Sequence, residues 1–224
     1  MKELRINAYC RITNKGVWIN GEEKEILKME DNNLFLDAIY RSMGIQYLKF
    51  FKMDKLSKAG FLGAELVMNA MKIERDTPKK EHAIICFNRS SSLDDDIEYQ
   101  KTINDIHNYF PSPSVFVYTL PNIVNGEIAI RNKIFGETSF YITEHFSAKQ
   151  IFFAITDIFN SGNISALLCG WTEYYENECD VLMMYISQNE EGVKVNINNI
   201  EELYSTNLPF YPDRVFDLCQ GDQP

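Results

Sequence analysis

The chain has 224 residues, 45% hydrophobic and 24% charged, the composition of an ordinary folded protein with enough length for one large α/β domain. Its 32 acidic against 22 basic residues give a net charge of -10, and no basic run exceeds Lys79-Lys80, which argues against a nucleic-acid-binding surface. No apolar run approaches the about 20 residues needed to cross a bilayer, and the charged start MKELRINAYC lacks the apolar centre of a signal peptide, so a cytoplasmic protein is expected.

The opening segment alternates as a strand with Leu4, Ile6, Ala8 and Cys10 on one face, and VWING at 17–21 reads as a second strand closing at a glycine turn. Leu34, Phe35, Ala38, Ile39 and Met43 keep helical spacing, with Asp31 as the cap and Gly44 as the stop. From Asp54 to Lys72 the chain is apolar around most of a helical circumference, as suits a helix packed on a sheet. A buried strand follows at HAIICFN, 82–88. Ser92 and the acidic run 94–96 then open a helix whose apolar face is Leu93, Ile97, Ile103 and Ile106; the acids suit the positive end of the helix dipole.

A further helix is expected from about Leu120 to Lys133, with Pro121 in its first turn and Gly136 at its end. After it come the strand TSFYIT, a helix from Ser147 to Asn160, and the strands ISALLCGW and CDVLMMYIS. Strands alternating with helices of this length indicate an α/β fold with helices layered on a mixed, mostly parallel sheet. The segment 196–224 is weakly patterned, and its packing is left open. Five cysteines, Cys10, Cys86, Cys169, Cys179 and Cys219, are odd in number and mostly set in apolar runs, so free buried thiols are expected.

The strand-to-helix joint at 143–148, TEHFSA, holds the candidate functional residues. Ser147 and Gln150 have capping-box spacing, which puts Glu144, His145 and Phe146 just outside the first helical turn. The amides of such a helix start favour an anion, a thiolate for example, and for a histidine they favour the neutral ring. His145 is therefore the candidate catalytic residue, with Glu144, Phe146 and Ser147 as ligand- or partner-facing neighbours. Glu144 is expected to point to the opposite side. No HxH, HxxxH or CxxC spacing links His82, His107 and His145, so no metal and no other cofactor is expected.

Residues Pro113 to Tyr175, PSVFVYTLPNIVNGEIAIRNKIFGETSFYITEHFSAKQIFFAITDIFNSGNISALLCGWTEYY, resemble the N-terminal half of β-ketoacyl-acyl-carrier-protein synthases, and KMDKLSKAGFLGAELVM resembles an earlier helix of the same family. The resemblance is strongest over residues 50–187 and implies a thiolase-like half-fold in a single domain spanning 1–224. It places Asn122, a further ligand- or partner-facing candidate, and Gly126 on the family's Asn-x-x-x-Gly helix and His145 at the position of the nucleophilic cysteine, with Ala148 in place of a glycine behind it. The second catalytic half, which carries two histidines and a lysine, has no counterpart in these residues.

What the resemblance implies is a non-catalytic synthase-like accessory protein, similar to chain length factors, in a fatty-acid, polyketide or polyene pathway. Its expected partners are a ketosynthase subunit or an acyl carrier protein, or a second copy of the chain. Two alternatives stand beside it: an acyl-thioester hydrolase or dehydratase using His145, with Glu144 or Thr143 nearby, and an acyl-chain binding module. The helix 147–160, apolar on most of its circumference, is covered by the segment beyond Asn196 or by another polypeptide, or is simply sunk in the core of a self-sufficient domain.

Overall fold

The computed structural model describes residues 3–25, 35–107, 109–189 and 191–206. Eight strands form one sheet: β1 (Arg5–Thr13), β2 (Gly16–Ile19), β3 (Glu22–Lys24), β4 (His82–Asn88), β5 (Thr138–Ile142), β6 (Ala166–Tyr175), β7 (Glu178–Ser187) and β8 (Val193–Lys194). Their order is β3-β2-β1-β7-β6-β4-β5, and β8 lies beside the start of β1. The helices are α1 (Phe35–Ser42), α2 (Lys55–Ala70), α3 (Leu93–Lys101), α4 (Pro113–Tyr118), α5 (Ile123–Asn132), α6 (Ala148–Asn160) and α7 (Ile197–Ser205), with a 3-10 turn at Leu48–Lys52.

The sheet is mixed and layered with helices, as expected, but its parallel part is smaller than expected. Among the described strands the parallel pairs are β4 with β5 and β4 with β6. The β1-β2-β3 and β6-β7 connections are short turns, and a short turn can join only antiparallel neighbours.

Both faces of the sheet are covered, which explains why β4, β6 and β7 read as unbroken apolar runs. Ile84, Cys86, Leu168, Val181 and Met183 face the layer containing α1, α2 and α5. Ile85, Phe87, Leu167, Cys169, Leu182 and Met184 face α6 and α7. Helix α2 is the most enclosed: Asp54 caps it by accepting the Ser57 amide, and Glu65, fully buried, is paired with Arg75 at 3.0 Å and Arg131 at 3.4 Å. A buried carboxylate needs such partners.

Four local expectations are corrected. The β1 register shifts between Ile6 and Ala8, so Ile6 packs with α6 and α7 while Ala8 and Cys10 face α2. One extra residue turns the following side chains to the other face. Helix α3 stops at Lys101 and buries none of its residues, so Leu93, Ile97 and Ile106 form no core face. The helix expected from about Leu120 to Lys133 is α5, which begins only at Ile123, so Pro121 precedes it and does not stand in its first turn, and the residues before it form a separate short helix, α4; α5 is closed by Lys133 in the left-handed conformation, at φ 51°. Gly136 has a different role from a helix stop, since a Cβ there would stand 2.1 Å from the His82 carbonyl oxygen. The expected cap Asp31, Leu34, Cys219 and the stretch LPFYPDRVF lie outside the described residues; Cys10, Cys86, Cys169 and Cys179 are buried free thiols.

Helix α6 buries Ile151, Ile155, Ile158 and Phe159, and Ile200 and Leu203 of α7 complete that layer. The segment after Asn196 therefore supplies part of the cover. Phe153 on the same helix is 51% exposed. No helix among the described residues is long and apolar enough to cross a membrane.

Candidate functional site at the strand-to-helix joint

Strand β5 ends at Ile142, and the Thr143 amide donates to the Asn88 carbonyl at 2.8 Å, carrying the parallel ladder one residue further. The chain then bends at Glu144 and His145 before Ser147, whose extended backbone and side chain cap α6 by accepting the Gln150 amide at 3.3 Å. The cap expected from the Ser-x-x-Gln spacing is present. The Thr143 hydroxyl donates to the His145 carbonyl at 3.1 Å and fixes the bend.

Glu144 and His145 are both exposed at this bend, and among the described residues no hydrogen bond or ion pair reaches the His145 ring. Phe146 turns inward. It stacks face to face on Tyr204 of α7, with ring centroids 3.6 Å apart, and meets Trp171 edge-on at 6.0 Å. Arg11 lies 4.6 Å over the Tyr204 ring, and Asp180 accepts from both Arg11 at 2.7 Å and the Tyr204 hydroxyl at 2.5 Å. Phe146 thus anchors α7 to the joint. Asn122 stands exposed one residue before α5, with no side-chain cap bond, on a different element from the joint.

Sequence reasoning missed the residues that border the joint. The turn after β4 sets Arg89 and Ser90 beside Thr143, and the Glu173 carboxylate of β6 accepts the Arg89 and Ser90 amides at 2.7 and 3.1 Å. The Arg89 side chain is exposed. The carboxyl ends of parallel strands are where α/β folds place ligands, and a polar Asn-Arg-Ser-Ser-Ser turn straight after a buried strand was the available signal.

The three histidines are apart. His82 begins β4, at the opposite end of the parallel strands, and its Nε2 lies 3.2 Å from the Tyr185 hydroxyl; burial first, and Lys79 next, lower its pKa. His107 is exposed after α3. Among the described residues no three His, Cys, Asp or Glu side chains converge to hold a metal ion. General acid-base chemistry at His145 lacks the orienting partner that such a ring needs.

No family model and no curated protein matches the chain. Solved structures do. The chain is similar to the ishigamide ketosynthase/chain length factor, with a TM-score of 0.62 and 13% identity over 86% of this chain and 64% of that one. A type II polyketide acyl-carrier protein in complex with its hexaketide-bound ketosynthase gives a TM-score of 0.57 and 13% identity over 84% of this chain and 62% of that one. A ketosynthase in complex with its chain length factor from Xenorhabdus doucetiae gives 0.56 and 12% identity over 84% and 79%. The chain therefore has the thiolase-like fold of ketosynthases and chain length factors, and it spans less than two thirds of the first two structures.

Proposed function

We propose that this chain is a non-catalytic, ketosynthase-like accessory subunit that pairs with a ketosynthase through the outer edge of β5. The observation that carries this reading is the edge itself. Among the described residues β5 is paired on one side only, by β4, and it exposes Tyr141 and Ile142 at 45% and 57%. An open, apolar sheet edge is a template for another chain and is unfavourable left bare.

Two further features support the reading. The structural neighbours include a ketosynthase paired with a chain length factor and a ketosynthase bound to its acyl-carrier protein. Five of the 22 basic residues fall between Arg41 and Lys58 of this acidic chain, around Leu48 and Phe51, which are 84% and 45% exposed. Lys49 and Lys58 of this group are paired with Glu127 and Asp37, which leaves Arg41 and Lys52 as exposed cations near these apolar side chains, a small surface that fits an acidic carrier protein. The isolated ring of His145 does not favour the hydrolase or dehydratase reading.

The test is co-expression with a ketosynthase encoded in the same cell, for the wild type and for Ile142→Asp. A stable pair with the wild type, weakened at least tenfold by a folded Ile142→Asp chain, is the expected result. Pairing that Ile142→Asp leaves unchanged refutes the β5 edge, and no pairing with any such ketosynthase refutes the accessory role.

A further inference from the structure

Helix α7 is fixed at its start and clasped at its end. Asn196 caps it by accepting the Asn199 amide at 2.8 Å, and Asn199 Nδ2 donates to the Lys194 carbonyl of β8 at 2.8 Å. The Val195 amide donates to the Leu4 carbonyl at 3.0 Å, so this end of α7 is tied beside the start of β1. Of the nine residues of α7, Ile200 and Leu203 are buried, and Tyr204 supplies the clasp in the last turn.

The receptor for the Tyr204 side chain is built across three strands. Arg11 of β1 stands opposite Leu182 of β7, and Leu182 stands opposite Trp171 of β6, so these residues form one row across the sheet. Asp180 lies two residues from Leu182 and therefore on the same face of β7. Arg11 Nη1 donates to Asp180 at 2.7 Å and to the Val181 carbonyl at 2.9 Å. Tyr204 then brings three contacts to the row: its ring stacks on Phe146 with centroids 3.6 Å apart, the Arg11 guanidinium lies 4.6 Å over the ring, and its hydroxyl donates to Asp180 at 2.5 Å. An aromatic stack, a cation-π contact and a charge-assisted hydrogen bond thus converge on one side chain.

Closure leaves two groups unsatisfied at the same place. Trp171, edge-on to Phe146, and Arg11 each keep a buried donor, Nε1 and Nε, without a hydrogen-bond partner among the described residues. A buried donor left unpaired is unfavourable, and access to water removes that penalty. The clasp therefore holds α7 at one point while opposing groups favour its release. We propose that α7 is a strap, hinged at Asn196 and clasped by Tyr204, whose opening uncovers the apolar face of α6 while the rest of the fold stays intact.

The strap acts directly on the joint. Phe146 immediately precedes Ser147, the cap of α6, so Tyr204 in its closed position covers the entrance to that helix. Opening withdraws Ile200 and Leu203 from the layer that contains Ile151, Ile155 and Phe159, and bares apolar side chains beside the exposed Glu144 and His145.

Amide hydrogen exchange on the full chain, in a series of sub-denaturing urea concentrations, tests the strap without a partner. The wild-type amides of 200–206 are expected to exchange through an opening that is less costly and less urea-dependent than the one exposing α2 and β6, because a strap uncovers less surface than global unfolding. Tyr204→Phe keeps the ring and the fold but loses the hydroxyl bond to Asp180, and should speed exchange at 200–206 severalfold with the shallow urea dependence retained. Equal urea dependence at α7, α2 and β6 in the wild type would make α7 an ordinary core helix and overturn the proposal. A Tyr204→Phe chain exchanging at 200–206 as slowly as wild type would overturn the clasp.

Discussion

His145 illustrates how a position and a side chain can be separated. The helix start behind it is built and capped as a nucleophile site would be, yet its ring stands exposed, without a hydrogen-bond or ion-pair partner among the described residues. His145→Ala is expected to change stability by no more than about 0.5 kcal/mol, as at other surface positions, and to leave thioester turnover no different from wild type. A folded variant that loses acyl-thioester hydrolysis shown by the wild type would restore the catalytic reading. His82 is the opposite case, a histidine used for structure. Its pKa is lowered by burial and by Lys79, so the unfolded chain takes up a proton first as the pH falls. Its contribution is complete above about pH 6.5 and is lost as pH drops through its lowered folded value. Denaturant titrations at several pH values should show this acid-side loss, and His82→Gln should reduce it.

At the scale of elements, α6 and α7 form a unit in which α7 covers part of the apolar face of α6. Ile200 of α7 is fully buried against that layer, whereas Phe153 of α6 is half exposed. Ile200→Ala should cost about 2 to 5 kcal/mol in urea unfolding. Phe153→Ala should cost much less. Equal costs would mean that α7 is not the cover it is taken to be. The strands β4 and β7 and the cap of α6 were legible because their signals are local: unbroken apolar runs, and a serine three residues before a glutamine. The β1 bulge was not, because a single inserted residue leaves the alternation intact on paper while reversing the faces. The apolar spacing of Leu93 and Ile97 misled for a related reason. Periodicity reports that a helix has an apolar face, but not whether the fold brings anything to cover it.

For the whole molecule, the resemblance in the sequence and the structural likeness agree on the fold, at identities of 9 to 13%. Fold alone does not transmit activity. At this scale the chain is an acidic molecule in which, among the described residues, the outer edge of β5 is unpaired and exposes Tyr141 and Ile142. The candidate site was legible as a place, the joint between β5 and α6, because the motif is contiguous. Its borders at Arg89, Ser90 and Glu173 come from other strands, and no sequence spacing records them. The measurement that bears most directly on the accessory role is the native mass and composition of the complex recovered from the source cells at physiological salt. A heteromer with an identified ketosynthase is predicted; recovery of the chain alone, as a monomer or a homodimer, would contradict it.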